Sequence, residues 1–530
     1  MQIHGKQLLG GETIAASQKT FAAVNPATGE QLSPAFFEAT AAEVDRALEL
    51  AAAAYPALRA AGAERRARLL EAIADEVLEL GPPLLERAHA ETGLPMARLE
   101  GERTRAVNQA RLFAEVVREG SWVDARIDRA QPDRQPGPKP DVRSMLMPRG
   151  PVVAFGASNF PLAISVIGAD TVSALGAGCP VVVKAHPGHP GTCEMLGAAI
   201  ARSVGRCDLP VGVFSLLQGA GHEVGLALVR HERSEAVAFT GSLRGGRALF
   251  DAAAARPRPI PVYAEMGSTN PIFVLPGALA ERGAQIAAGY IGSVTLGGGQ
   301  FCTNPGLVLG RRGEGLNGFL EAATQAAAAA APGTMLHSGI QQSFQAGIER
   351  IAATPGVQLA ARSQQSPRDQ RTEAACTLFV TDAATLADQP HLAEEVFGPT
   401  SLVVACDSQA ELLRIAAGLE GHLTATLHGS EQDLADHRDL IELLETKVGR
   451  LIINGFPTGI EVCDAMHHGG PYPATTDGHF TSIGTRAILR FARPICYQDF
   501  PDAALPEELQ NANPRGIWRL VDGEFSRGGC

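Results

Sequence analysis

The sequence predicts an α/β protein whose sheets are mostly parallel and covered by helices on both faces. Apolar runs of strand length recur at 151–155, 180–184, 211–217, 236–239 and 261–264, with helical stretches between them at 161–177, 192–204 and 222–231. The same alternation resumes from 271 to about 453. Alanine and glycine are abundant while aromatics reach only 5%, a composition that lets helices sit close on a sheet. A chain of 530 residues is too long for one simple core, so two or three domains are expected.

In chain order, residues 1–35 read as short strands and turns, with Asn25-Pro26-Ala27-Thr28-Gly29 as a turn cluster. Thr40 and Glu43 have capping-box spacing ahead of a long Ala/Leu run. Apolar residues recur at helical spacing over 63–80, Gly81-Pro82-Pro83 stops that helix, and another covers 84–92. The stretch 124–140 (DARIDRAQPDRQPGPKP) is polar and proline-rich and reads as a linker. After 483 the tail is rich in Arg and Pro, with one apolar run at 487–491.

Composition excludes several functions. A net charge of -12 without any basic stripe argues against nucleic-acid binding. Nine scattered cysteines with no CxxC pair give neither a zinc framework nor a secreted disulfide scaffold, and a reducing cytoplasm is expected. The opening MQIHGKQLLGGETI lacks a signal peptide's apolar run. Apolar stretches elsewhere are broken well short of the ~20 residues a spanning helix needs, so no membrane span is expected.

Four segments carry chemistry. In Gly297-Gly298-Gly299-Gln300-Phe301-Cys302-Thr303-Asn304 a cysteine follows a glycine cluster, where backbone can approach a ligand and N–H groups can stabilise an oxyanion. A buried structural cysteine in a tight turn reads equally well. Glu265 ends an apolar strand ahead of Met266-Gly267, as a general base or as a helix cap or surface acid. Asn159 in Ser158-Asn159-Phe160-Pro161 is an N-cap or an amide donor to an oxyanion. Phe239-Thr240-Gly241-Ser242-Leu243-Arg244-Gly245-Gly246 joins strand to helix, where a phosphate can sit on the helix N-terminus, although such turns also occur without ligands.

Taken in order with Lys184 and Glu395-Val396-Phe397-Gly398-Pro399, these segments resemble the aldehyde dehydrogenase superfamily from about Asn25 to about Asn454. Gly-Gln-Phe-Cys-Thr-Asn-Pro-Gly and Val-Lys-Ala-His-Pro-Gly-His-Pro look like the branch of ketoglutarate semialdehyde dehydrogenases and an NADP-dependent fatty aldehyde enzyme. The resemblance implies two Rossmann-like parallel-sheet domains and a small arm: cofactor domain 1–130 and 150–264, catalytic domain 265–480, and bridging segment 131–149 with 481–530. It makes Cys302 the nucleophile, Asn159 and the Cys302 N–H the oxyanion donors, and Glu265 the base. It gives the cofactor to Lys184 (adenosine ribose), Ser242 (pyrophosphate), Gly241 and Gly246 (close approach), Glu395 (nicotinamide ribose) and Phe397. The standard G-x-G-x-x-G is absent. An aldehyde substrate and a homodimer or homotetramer joined through the arm follow from the same likeness. The favoured substrate is 2-oxoglutarate semialdehyde, with a medium- or long-chain fatty aldehyde, or non-redox thioester chemistry at Cys302, as alternatives.

Three departures from the superfamily pattern stand out. Ser158 replaces a tryptophan, and Lys184-Ala185-His186-Pro187 replaces a segment ending in a carboxylate. An acid there grips a ribose diol and repels a 2′-phosphate, so Pro187, with Lys184 and His186, points to NADP over NAD. Near the C-terminus stands His467-His468-Gly469-Gly470-Pro471-Tyr472-Pro473. A His pair beside Asp464 is a thin ligand set, and the loop is expected to serve substrate or interface, with no metal.

Overall fold

The computed structural model describes residues 2–369 and 371–530. Two seven-stranded sheets organise it. In the first, strands Val262–Glu265, Ala236–Thr240, Val152–Phe155, Val181–Lys184 and Phe214–Leu217 lie side by side and parallel. Gln7–Leu9 and Glu12–Ile14 add an antiparallel edge. All four central connections are helical crossovers, so every parallel strand delivers its C-terminal end to the same edge. That edge carries Phe155, Lys184, Thr240 and Glu265, and the strand order reverses there on either side of Val152–Phe155. Such a reversal opens a crevice at the strand ends, where ligands of open α/β sheets bind.

The second sheet runs Gln358–Arg362, Thr377–Asp382, Thr400–Cys406, Leu307–Arg311, Ile272–Val274, His422–His428 and Val448–Ile453, parallel except for its first pair. Its central strands are buried throughout, as a sheet covered on both faces requires. A third, five-stranded sheet joins Ala492–Gln498, Val142–Pro148, Arg126–Asp128, Arg519–Val521 and Glu524–Ser526. No helix of the described residues is long and apolar enough to cross a membrane.

Local signals are reproduced where the chain is locally determined. Thr40 accepts from the Glu43 N–H at 3.2 Å while the Glu43 carboxylate takes the Thr40 N–H at 2.7 Å, closing the capping box of Ala41–Ala60. Gly81-Pro82-Pro83 both ends one helix and opens the next, Gly81–Thr92. Prolines in a first turn lose no helical hydrogen bond.

Three expectations change. The helix expected at 161–177 forms only over Ala169–Ala177. The N–H groups of Leu162 and Ala163 instead donate to the buried Glu102 carboxylate, at 2.7 and 2.9 Å, and the Ala157 N–H closes on the Ile164 carbonyl. Of 211–217, only Phe214–Leu217 is strand, after a 3-10 turn. The stretch 124–140 is no linker, because Arg126–Asp128 pairs with residues of the C-terminal tail and Gln131 bridges to Lys139.

Candidate active site

Gly297, Gly298 and Gly299 all have positive φ, at +57°, +67° and +69°, which curls the chain tightly just before Gln300–Asn304. Side-chain amides then fix the segment. Asn270 Nδ2 donates to the carbonyls of Cys302 and Asn304, both at 2.9 Å. Gln300 donates to Thr334 at 3.0 Å and accepts from the Leu336 N–H at 2.9 Å. Asn159, buried, donates to the Gln300 carbonyl at 2.9 Å. No regular helix starts beside Asn159, so it caps none, and its second amide hydrogen is available to a ligand.

Cys302 Sγ lies 3.4 Å from His468 Nε2, and that nitrogen lies 3.0 Å from Glu265 Oε1. Glu265 also accepts from Ser482 Oγ at 2.5 Å. The loop reaches this place because it is stitched to the end of strand Val262–Glu265: the Met266 N–H donates to Ala474, Thr476 exchanges bonds with Ala264, and Thr475 bridges Glu265. One imidazole nitrogen thus faces both thiol and carboxylate, and His468 Nδ1 is buried with no hydrogen-bond partner among the described residues. Glu265, Cys302 and His468 also stand close enough to share an ion, without Asp464 or His467. His468 was visible in the sequence only as a departure in its loop.

The electrostatics give each group a resting state. Burial pushes the Cys302 thiol well above its usual pKa, and the neighbouring Glu265 charge adds to this. Burial also acts to raise Glu265, but His468 and the hydrogen bonds from His468, Ser482 and Cys302 outweigh it and hold the carboxyl below its usual range. At neutral pH Cys302 and Glu265 therefore rest as thiol and carboxylate.

The expected cofactor residues lie on the same edge. Lys184 ends its strand and donates to the Gly219 carbonyl at 2.5 Å, and burial lowers its pKa to about 8. His186 packs against the rings of His189 and His337. Burial, then the charges of His189, His337 and Lys184, push His186 well below its usual pKa, so it would meet a phosphate as a hydrogen bonder and not as a cation. Ser242 caps helix Leu243–Ala254, accepting from the Gly245 N–H at 3.2 Å, and Gly241–Arg244 are exposed at that N-terminus. Gly246 faces inward, where a Cβ would come within 2.5 Å of the Met266 sulfur, so its smallness seats the helix on the sheet. From the second sheet's side, Glu395 and Phe397 line a small cavity with Ser268, Thr269 and Asn304. Burial raises the Glu395 carboxyl to about 8 against a hydrogen bond from the Ser268 backbone, with the Glu265 charge adding to the rise. An open helix N-terminus, a lysine and the Glu395 carboxyl along one crevice fit a dinucleotide's phosphates and riboses.

A cysteine beside an imidazole, a carboxylate and an amide donor, placed between two parallel-sheet layers, is the arrangement of thiol-dependent α/β enzymes. The chain belongs to the aldehyde dehydrogenase family, whose model matches residues 13–472, and it is an oxidoreductase of that family. It is 52% identical over 525 residues to alpha-ketoglutaric semialdehyde dehydrogenase 2 of Azospirillum brasilense, covering 99% of this chain and 100% of the relative. Identity to the alpha-ketoglutaric semialdehyde dehydrogenase of Acinetobacter baylyi is 44%, covering 99% of each. Among solved structures, aldehyde dehydrogenase of Bacillus cereus in complex with NAD+ superposes with a TM-score of 0.78 at 22% identity, covering 93% of this chain and 96% of that one. Betaine aldehyde dehydrogenase of Staphylococcus aureus gives 0.79 at 20% identity, covering 96% and 99%.

Proposed function

We propose that this protein oxidises 2-oxoglutarate semialdehyde (2,5-dioxopentanoate) to 2-oxoglutarate, with NADP serving at least as well as NAD, in the cytoplasm as a homodimer or homotetramer. The contact of Cys302 with His468 and of His468 with Glu265 carries the chemical part of this reading. The substrate part is supported by the names of two relatives that match nearly the whole chain.

Cys302 attacks the aldehyde carbon, and its proton passes to the His468–Glu265 pair. The oxyanion of the thiohemiacetal is held by the free Asn159 amide hydrogen and the Cys302 N–H. A bound nicotinamide dinucleotide supplies the hydride acceptor that turns this adduct into a thioester. Lys184, Ser242 and Glu395 would hold the dinucleotide, with Gly241 at the turn allowing its approach and Phe397 beside it. The pair passes the thiol's proton to solvent, and Glu265 then draws a proton from the water that attacks the thioester; the thiolate leaves and is reprotonated by the pair, and the new acid loses its proton to solvent as carboxylate. The test is a rate comparison of 2-oxoglutarate semialdehyde, succinate semialdehyde and a long alkyl aldehyde with each cofactor, using Cys302→Ala as control. The highest kcat/KM is expected for 2-oxoglutarate semialdehyde with NADP, and none above background for the variant. A preference for the alkyl aldehyde would make this a fatty aldehyde enzyme, and light scattering decides the assembly.

A further inference from the structure

We propose that Arg105 is the anchor for the substrate's far carboxylate, which makes the protein selective for aldehydes that carry an acid at the other end. The assignment rests on the reading of the substrate as an oxo-acid semialdehyde.

Helix Met96–Glu119 presents Arg98, Glu102 and Arg105 at spacings of four and three residues, one face of a helix. That face meets the segment carrying Asn159. Glu102 holds the N–H groups of Leu162 and Ala163, and Arg98 donates to the Asn159 carbonyl at 2.6 Å. Phe160 is the shared surface. The Arg98 guanidinium stands 5.0 Å from its ring centroid and that of Arg105 stands 5.5 Å away. Phe301, the residue before Cys302, meets the Phe160 ring edge-on at 5.4 Å. A short chain of contacts therefore runs from the nucleophile through two aromatic rings to Arg105.

The two arginines differ in what they already hold. Arg98 is largely committed: Nη2 bonds Asn159, the guanidinium lies between two rings, and Nη1, buried without a hydrogen-bond partner, is packed against Gly297, where a Cβ would come within 2.6 Å of it. Arg105 makes no hydrogen bond and no ion pair among the described residues, and its Nε is buried without a partner. Glu102 does not neutralise it, since that carboxyl is occupied by backbone N–H groups and burial raises its pKa. Arg450 also lies near Cys302, but its terminal nitrogens are committed to the carbonyls of Pro457 and Gly459. Burial weakens the hold of Arg105 on its proton, and none of its electrostatic neighbours, Cys302, Glu102, Glu265 and Glu461, makes a hydrogen bond or ion pair with it among the described residues.

A half-buried guanidinium with no anion is a desolvated charge awaiting one. Its planar fork matches a carboxylate by two parallel hydrogen bonds, a match no alkyl chain offers. With the aldehyde carbon at Cys302, the carboxylate and 2-oxo group of a short dicarboxylic semialdehyde extend along the Phe160 surface toward it. An alkyl aldehyde in the same place would leave the charge unpaired.

The experiment measures kcat/KM for 2-oxoglutarate semialdehyde, glutarate semialdehyde and pentanal in the wild type, Arg105→Gln and Arg105→Lys. It also measures protection of Cys302 from iodoacetamide by the product, 2-oxoglutarate. The wild type is expected to favour both acids over pentanal. Arg105→Gln should lower that ratio by about 10- to 100-fold, chiefly through KM, and weaken product protection similarly, with Arg105→Lys between them. If the wild type favours the acids and Arg105→Gln keeps the ratio and the protection, Arg105 is not the anchor while the substrate reading stands. If rates with all three aldehydes fall together, the arginine supports the loop and the proposal fails. A wild type without preference for an acid end sinks the substrate reading and this proposal with it.

Discussion

Cys302 is held as a thiol by two causes that act in the same direction, burial and the Glu265 charge, so removing the second alone should be visible. In Glu265→Gln the thiol loses a repelling neighbour, and the pH profile of its alkylation by iodoacetamide should move to lower pH. The same variant lacks a base for hydrolysis, so aldehyde oxidation should give a burst of reduced cofactor close to one per site, then stall. Normal steady turnover would mean that His468 alone serves as base. The depressed carboxyl has a consequence for acid sensitivity. Its stabilising contribution is complete above the unfolded value of about 4.3 and is lost as pH falls through the lower folded value. At this scale the sequence showed Cys302, Glu265 and Asn159, because each stands in a distinctive local string. His468 and Arg105 stood in no such string, and their partners lie far away along the chain.

The element that matters most is the curl at Gly297–Gly299. A Cβ on Gly299 would lie 2.3 Å from the Gly398 carbonyl carbon and 2.4 Å from its oxygen, both backbone atoms, and φ there is +69°. Neither conflict is relieved by a side-chain rotation. Gly299→Ala should therefore cost about 2–4 kcal/mol in urea unfolding, since left-handed strain and backbone overlap add. It should also reduce activity by displacing Gln300–Cys302 from Asn159. Wild-type stability and activity in the variant would show that the curl is not rigidly required. The helix that did not form at 161–168 is instructive here. Its composition permits a helix, yet the segment is fixed by distant residues, with Glu102, some sixty residues earlier, holding the N–H groups of Leu162 and Ala163.

On the scale of the molecule, the tail completes a sheet that the chain begins near Arg126. Arg519 is buried and donates to the carbonyls of Gln510 and Gly528 at 2.5 and 3.0 Å, beside an apolar cluster of Val123, Ile127, Leu505, Leu509 and Ile517. None of the partners of Cys302, His468 or Glu265 lies in 519–530. A chain ending at residue 518 should keep its rate of Cys302 alkylation while its mass by light scattering changes, because strand Arg126–Asp128 becomes an open edge. Equal mass for both chains would remove this sheet from any role in assembly.

The sequence alone determined the strand and helix alternation, the capping box, the glycine curl and the local settings of Asn159, Glu265 and Cys302, because periodicity, caps and turns act over a few residues. Tertiary structure decided which histidine lies between thiol and carboxylate, which arginine is left without an anion, and that Arg126–Asp128 belongs to a sheet completed by the C-terminal tail. Each of those depends on residues separated by tens to hundreds of positions, and nothing in a local window encodes which of them will meet.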